Sequence, residues 1–297
     1  MIDIKLLEQL CLCNGISGDE GNVRNLIINE IKDCADDIKT DNLGNLIVFK
    51  KGKKSAKSKL MVSAHMDEVG LMVTDITSDG YLKFDEVGGI DRRVLPGKRV
   101  CVGRNGLNGV IGVKPIHLTN GDEKTAVPKM NDMYIDIGAE SREDALKYVN
   151  YGDGINFEGD FKINGKTVVT KALDDRFGCY VLINLIKSEP EYDMYFTFVV
   201  QEEVGLRGAR SAAFTVNPDF ALVIESTTAA DVAEVDVSHQ VCNLSKGATV
   251  TVMDRATVYD KEMISAAFEL AEKNNIAVQY KRAVAGGNDS GAIHQSR

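Results

Sequence analysis

The chain has 297 residues, of which 44% are hydrophobic and 27% charged, and its net charge at pH 7 is −9. This length suffices for one large domain or two smaller ones, and the composition is that of ordinary globular proteins. The acidic balance argues against a nucleic-acid partner, because binding phosphates requires a basic surface. We expect no membrane partner, since no apolar run reaches the roughly 18 residues of a transmembrane helix.

The first half of the chain begins with helices and then changes to strands. Helices are predicted over residues 3–12 and 20–34, where apolar residues recur at a spacing near 3.6, and Ser17 or Asp19 is expected to cap the second. The runs NLGNLIVFK and KLMVSAH follow as strands. From about residue 69, short alternating runs are separated by Ser-Asp-Gly, Pro-Gly and Asn-Gly turns, a spacing that is typical of a small β-rich module.

Helices and strands alternate again from about residue 166. A strand TVVTKALDD leads into the helix DDRFGCYVLINLIKS, and the strands MYFTFVVQEE and FALVIES precede a long helix over roughly 258–274. The simplest architecture is an α/β domain with a mixed sheet flanked by helices and a β-rich module inserted in one of its loops. We expect residues 1–68 and 163–297 to form the α/β domain and residues 69–162 the insertion.

Polar side chains fall where apolar, strand-like runs give way to turns. They are His65, Asp174, Glu202, Glu203 and Glu225. Because ligand-binding groups gather at the carboxyl ends of strands in open α/β sheets, four such ends are expected to converge on one pocket. One imidazole with several carboxylates suits a pair of divalent ions, Zn²⁺ or Co²⁺ before Mg²⁺. The sequence therefore predicts a two-metal hydrolase.

Two short motifs contribute to this predicted site, and each has a plainer interpretation. His65 and Asp67 share one face of a strand, so Asp67 is placed to accept the second N–H of a ligating imidazole. A histidine that merely satisfies its hydrogen bonds at a strand end is the alternative. Asp174 is the better candidate for a carboxylate that bridges two metals, whereas Asp175 is expected to cap the helix that follows.

The adjacent carboxylates Glu202 and Glu203 are costly to leave unpaired at the end of an apolar strand. A bound metal ion would balance the charge of one carboxylate, while the other accepts a proton from the water that the metal activates. A solvent-facing acidic turn is the alternative. Asp289 is expected to cap a later helix. The sequence has no HExxH and no GxSxG, and no cysteine stands beside an evident base, which disfavours other hydrolase mechanisms.

Six stretches carry a resemblance that covers nearly the whole chain. They are AHMDEVGLMV (64–73), VGG (87–89), DMYIDIGAESREDA (132–145), KALDDRFGC (171–179), VVQEEVGLRGA (199–209) and AGGNDSGAIH (285–294). Together they resemble the M42 family of metallo-aminopeptidases, which includes the glutamyl, deblocking and tetrahedral aminopeptidases. The resemblance implies peptide substrates and two Zn²⁺ or Co²⁺ ions per subunit.

The resemblance also implies a role for each site residue. His65 would bind the first metal, with Glu225 standing where the family usually has Asp. Asp174 would bridge both metals, and Glu203 would bind the second. Glu202 would be the general base, and Asp67 would support His65. Residues 69–162 would be the family's dimerisation domain, and dimers would assemble into hollow dodecamers.

One departure from the family pattern lies at the end of the chain. The family's last metal ligand is a histidine in a strand beyond the GGNDSGAIH stretch, and this sequence ends at Arg297. The resemblance therefore implies a truncated C-terminus, a weakened second metal and an open sheet edge. An inactive or half-metallated self-assembling protein is thus one alternative to the aminopeptidase. A related metal-dependent amidohydrolase or deacylase is another.

The thiols and the N-terminus bear on the compartment. The six cysteines form no CxxC pair, and the first residues lack the order of a signal peptide. We expect reduced thiols and a cytoplasmic protein.

Overall fold

A computed structural model describes residues 3–121, 126–284 and 286–296. Its strands in chain order are β1 (Asp37–Thr40), β2 (Leu46–Lys50), β3 (Leu60–His65), β4 (Gly70–Ile76), β5 (Leu82–Val87), β6 (Arg99–Val102), β7 (Leu107–Val113), β8 (Met133–Asp136), β9 (Gly154–Phe157), β10 (Lys162–Asn164), β11 (Thr167–Val169), β12 (Met194–Val199), β13 (Phe220–Val223), β14 (Ala248–Val250) and β15 (Val278–Tyr280). The α-helices are α1 (Ile4–Leu12), α2 (Gly21–Ile31), α3 (Arg142–Ala145), α4 (Leu173–Lys187), α5 (Arg207–Val216), α6 (Lys261–Lys273) and α7 (Ser290–Ile293).

The central sheet has five strands in the order β1-β2-β12-β3-β13. Strands β12 and β13 both run parallel to β3, whereas β1 and β2 pair antiparallel. The register aligns Val199 of β12 with His65 of β3. This confirms the predicted mixed sheet, and it brings the carboxyl ends of β3, β12 and β13 to one edge.

Helices cover both faces of this sheet, so its middle strands are apolar on both sides. On one face Val62 and Phe196 pack in the core that α1, α2 and α4 complete. On the other face Met61 and Val199 pack with α5 and with Ile293 of α7. Successive side chains of a strand point to opposite faces, which explains the near-continuous apolar runs in the sequence.

The β-rich insertion is a closed barrel with the strand order β4-β5-β8-β7-β6-β9. Its interior is a separate core that includes Leu71, Phe84, Ile111, Ile135 and Ile155. Closure pairs every strand of the barrel, so it leaves no open edge of its own. The predicted boundaries at 69 and 162 enclose the barrel strands, and the independence of the two units stays a prediction.

One predicted element is wrong in its placement. The run TVVTKALDD was expected to supply a fourth strand end to the central sheet, but only β11 forms there, and it pairs antiparallel with β10 in a hairpin. The register that opposes Asn164 to Thr167 makes this a tight local turn, which satisfies the strand's backbone without the central sheet. Asp174 is therefore positioned by the first turn of α4.

The far edge of the central sheet, within the described residues, is strand β13. A cleft of about 740 Å³ separates it from the small parallel sheet of β14 and β15, and its lining includes Leu222, Val258 and Met263. None of the helices in the described ranges is long and apolar enough to cross a membrane.

The closed barrel generates a prediction about domain independence. Residues 69–162 expressed alone should fold, because the barrel pairs all its strands and encloses its own core. Circular dichroism should record one cooperative thermal transition. The matched variant Ile135→Asp, which buries an unpaired charge, should abolish it. Loss of structure in the unaltered fragment would show that the barrel depends on the rest of the chain.

Candidate active site

The site lies at the edge where β3, β12 and β13 end. His65 is the last residue of β3, and Glu225 follows two residues after β13. After β12 the chain turns sharply, because Gln201 adopts a left-handed φ of 56° and Leu206 one of 57°. Such values are uncommon outside glycine and mark a backbone held by its surroundings. The turn brings both Glu202 and its neighbour into the cleft, which a straight strand would prevent.

Asp174 reaches the same cleft from the start of α4. Its Oδ1 lies 3.0 Å from His65 Nε2, and Glu225 Oε1 lies 3.4 Å from the same nitrogen. The backbone here is irregular: Ala172 has a φ of 53°, and the Asp174–Asp175 peptide bond is cis. Asp175 accepts the Gly178 N–H at 3.1 Å with one carboxylate oxygen and the His65 backbone N–H at 3.3 Å with the other. Because its own backbone is non-helical, the first of these bonds caps the regular part of α4, which confirms the predicted capping role.

Together these elements enclose a cleft of about 360 Å³. Its lining residues are His65, Asp174, Glu202, Glu203, Gly205, Glu225, Ser226 and Gly287. Within the described part of the chain, two trios have ligand atoms within 4.8 Å of one another: His65 with Asp174 and Glu225, and His65 with Glu202 and Glu203. All five predicted side chains thus meet in one cleft, while the role of each stays a prediction.

Asp67 links the His65 imidazole to the turn after β12 that carries Glu202 and Glu203, which we call the acidic turn. Its Oδ1 lies 3.4 Å from His65 Nδ1 and accepts the Glu202 N–H at 3.0 Å. Its Oδ2 accepts the Glu203 N–H at 3.1 Å and the Ser17 hydroxyl at 2.6 Å. His65 Nδ1 also lies 3.1 Å from the backbone carbonyl of Asp67. One buried carboxylate therefore fixes the ring and the turn relative to each other.

Ser17 or Asp19 was expected to cap α2, and that prediction is wrong for both residues. The residue before α2 is Glu20, whose side chain makes no capping hydrogen bond, and the Ser17 hydroxyl goes to Asp67 instead. The chain between the helices folds against the end of β3 through the Ile16–Glu68 bridge, which turns Ser17 toward the site. Periodicity gives no signal for such a contact, because it spans 50 residues of sequence.

Asp289 was also expected to cap a helix, and it does not. Asn288 takes that role, since its Oδ1 accepts the Ser290 N–H at 2.9 Å. Asp289 is fully buried, and neither of its carboxylate oxygens has a hydrogen-bond partner. Glu225 Oε2 is likewise buried without a partner. Unpaired buried carboxylate oxygens are costly, and a nearby cation relieves that cost.

The carboxylates affect one another's pKa. Burial, together with Asp289 and Glu225, raises the pKa of Glu202 to about 8. Burial with the nearby Asp174 carboxylate raises that of Glu203 to about 7. Burial also raises the pKa of Asp289 to about 7 and that of Glu225 above its ordinary value. At neutral pH the metal-free cleft therefore retains protons on several of its acids.

The pKa shifts of His65, Asp67 and Asp174 instead favour the charged form of each group. Burial alone would lower the pKa of His65, but its interactions with Asp174, Asp67 and Glu225 raise it well above the ordinary value. Burial opposes ionisation of Asp67, yet its contacts with His65 and Ser17 hold its pKa below normal. The pKa of Asp174 is lowered in the same way by His65.

This donor set fits a divalent metal centre. Carboxylate oxygens and one imidazole are ligands that Zn²⁺ and Co²⁺ accept. The unpartnered oxygen of Glu225 and the raised pKa values of Glu202 and Glu203 indicate a cleft short of positive charge. A bound cation would supply that charge and replace the retained protons.

Comparison with known proteins identifies the family. The family model for M42 glutamyl aminopeptidases matches residues 44–297. The chain belongs to the M42 family. A protein of Acetivibrio thermocellus is 44% identical over 291 residues, covering 97% of this chain and 85% of the relative. As an M42 member, the protein is a metal-dependent aminopeptidase, a hydrolase that acts on peptide N-termini.

Two further similar proteins extend the comparison. The lysyl aminopeptidase of Pyrococcus furiosus is 34% identical over 290 residues, covering 94% of this chain and 81% of the relative. The structure of the TET1 peptidase of Pyrococcus horikoshii, which can assemble into a tetrahedron or a large octahedral shell, superposes with a TM-score of 0.86. It is 40% identical, with 98% of this chain and 87% of that chain covered.

Metal binding should release protons in a pH-dependent manner. At pH 6.5 the metal-free site retains protons on His65, Glu202 and Glu203, and ligands bind metals only after deprotonation. Calorimetric titration with Co²⁺ in buffers of different ionisation enthalpy should give a larger proton release at pH 6.5 than at pH 8.5. The variant Glu203→Gln should lower the number of protons released at pH 6.5. Equal release at both pH values would contradict the shifted pKa values.

Asp289 should destabilise the metal-free protein at neutral pH. Its folded pKa of about 7 lies above that of the unfolded chain, so stability present below pH 4 is lost as the pH rises to 7. The shift corresponds to roughly 4 kcal/mol at most. Asp289→Asn should therefore raise the free energy of unfolding at pH 8 and change it little at pH 4.5.

Denaturant unfolding in the presence of EDTA measures the free energy of unfolding of Asp289→Asn and of the unaltered chain without bound metal. The exposed variant Asp132→Asn is the matched control and should change nothing at either pH. If Asp289→Asn had the same effect at both pH values, the carboxylate would not carry the pH dependence.

Proposed function

We propose that this M42 enzyme removes N-terminal residues from peptides at a two-metal site that binds Zn²⁺ or Co²⁺. The observation that carries the proposal is the meeting of His65, Asp174, Glu203 and Glu225 in one cleft, with Glu202 beside them. A buried cluster of this kind needs compensating positive charge, and two divalent ions supply it.

The proposed ligands divide between two ions, and the distances support the set for the first. His65, Asp174 and Glu225 have ligand atoms within 4.8 Å and would hold the first ion. Asp174 would bridge to the second ion, which Glu203 would also bind. The proximity of Asp174 to both His65 and Glu203 supports this role, since it influences the pKa of each.

Glu202 is the proposed general base. When bound, the two ions polarise the scissile carbonyl and make the attacking water more acidic. The carboxylate of Glu202 accepts the proton from that water and later gives it to the leaving amine. Two hydrogen bonds support its position, because its N–H donates to Asp67 and its carbonyl accepts the Gly205 N–H at 2.9 Å. It lines the cleft beside Glu203.

The charge of the cleft supports cleavage at the amino terminus. Its lining contains four carboxyl groups and, among the described residues, no Lys or Arg, so with both ions bound no lining side chain repels the α-ammonium group of a peptide, and carboxylate oxygens remain to attract its N–H groups. Asp174 lies nearest the opening, with its side chain 56% exposed. A blocked N-terminus would lose this attraction.

We also propose that this protein assembles into a larger oligomer and lies in the cytoplasm. The TET1 relative can assemble into a tetrahedron or a large octahedral shell, which supports dimers of this chain that build a larger hollow oligomer. The six cysteines are free, three of them buried, which supports a reducing, cytoplasmic environment.

Replacing the proposed base should separate chemistry from metal binding. Glu202→Gln should lower kcat by about 10²- to 10⁴-fold while both metal ions are retained, because only proton transfer is lost. Hydrolysis of a free peptide, with its N-acetylated counterpart as a negative control, measures the rate. Elemental analysis measures the metal content.

The exposed variant Glu262→Gln on α6 is the matched control and should keep full activity. Removal of metal with EDTA should abolish hydrolysis, and Zn²⁺ or Co²⁺ should restore it. Full activity in Glu202→Gln would refute its role as the base. Activity that survives metal removal would refute the two-metal proposal.

A further inference from the structure

We propose that Ser17 is a positioning residue of the metal centre, acting through Asp67. This inference rests on the proposed function. Ser17 lies outside residues 44–297, which the family model matches, and far in sequence from every proposed ligand. Its hydroxyl donates to Asp67 Oδ2 at 2.6 Å, and both side chains are buried, with exposures of 5% and 0%.

The hydrogen bond from Ser17 completes the set of donors around Asp67. The other donors are the His65 ring and the N–H groups of Glu202 and Glu203, all belonging to the site itself. Oδ2 has only two of these partners, Ser17 and the Glu203 N–H. Loss of the hydroxyl would leave a buried carboxylate oxygen short of a donor, and the carboxylate would reorient toward the remaining ones.

The segment that carries Ser17 is fixed against the end of β3. The Ser17 N–H donates to the Glu68 carbonyl at 3.3 Å, and the Glu68 N–H donates to the Gly15 carbonyl at 3.0 Å. Ile16 between them is fully buried against Gly70, where an added Cβ would lie 2.2 Å from the Ile16 side chain. The Ser17 hydroxyl is therefore held at a fixed position and does not reach Asp67 by chance rotation.

The same segment makes a second contact with the acidic turn. Glu20 is buried, and its Oε1 accepts the Gln201 N–H at 3.1 Å and the Gly18 N–H at 2.7 Å. Gln201 holds the left-handed conformation that directs Glu202 and Glu203 into the cleft. The connection between α1 and α2 thus supports the proposed metal ligands from behind, on the side away from solvent.

Co²⁺ binding tests this role without relying on peptidase activity. Ser17→Ala should weaken Co²⁺ affinity by about 10- to 100-fold, the effect typical of groups that orient metal ligands. It should also change the visible absorption of bound Co²⁺, because His65 and the acidic turn lose their fixed relative position. Thermal unfolding of the metal-free Ser17→Ala protein should stay cooperative, with a midpoint lowered by only a few degrees, because one donor to a buried carboxylate is lost.

A double-mutant cycle shows whether Ser17 acts through Asp67. In an Asp67→Ala background, Ser17→Ala should cause less than about 2-fold further loss of affinity, because the acceptor is gone. Ser63→Ala is the matched control: it removes another buried hydroxyl near His65, one bonded to Thr197, and should leave Co²⁺ affinity unchanged.

Two results would overturn the role of Ser17 alone. One is unchanged affinity and absorption in Ser17→Ala, and the other is an equal loss with and without Asp67. Failure of the unaltered chain to bind Co²⁺ would overturn the proposed function, and the role of Ser17 with it.

Discussion

The structure depends on the balance of charge around one buried imidazole. His65, Asp67 and Glu225 lie within hydrogen-bonding or ion-pair distance, and burial raises the pKa of Glu202, Glu203 and Asp289. One imidazolium cannot neutralise this many carboxylates in a buried cleft, so without a cation several acids hold protons. Metal binding releases those protons, and its binding free energy adds to the stability of the folded chain. The stability of the cleft and its chemistry therefore depend on the same ions.

Rigid backbone elements hold these charged side chains close together. Parallel pairing of β12 and β13 with β3 brings three strand ends together, and the left-handed turn at Gln201 directs the acidic pair inward. Arg176, fully buried in α4, donates to the carbonyls of Leu10 at 2.6 Å, Cys13 at 2.7 Å and Met66 at 2.7 Å. These hydrogen bonds fix the end of α1 and the residues just after β3, and therefore the position of Asp67.

The sequence predicted the layers of the fold and the meeting of the site residues, because apolar runs ending in acids are local patterns. It failed where position depends on distant contacts. The strand before Asp174 pairs within its own hairpin, so Asp174 enters through a helix start. Asp289 resembles a capping residue, yet the neighbouring Asn288 caps the helix. No local sequence pattern predicts the hydrogen bond of Ser17, since its partner Asp67 lies 50 residues away.

The most direct measurement of the central claim is anomalous X-ray scattering from crystals grown with Zn²⁺, with data on both sides of the zinc absorption edge. Two peaks are expected in the cleft, one among His65, Asp174 and Glu225 and one between Asp174 and Glu203. A single peak, or peaks that lie away from these side chains, would contradict a two-metal site built from this cluster.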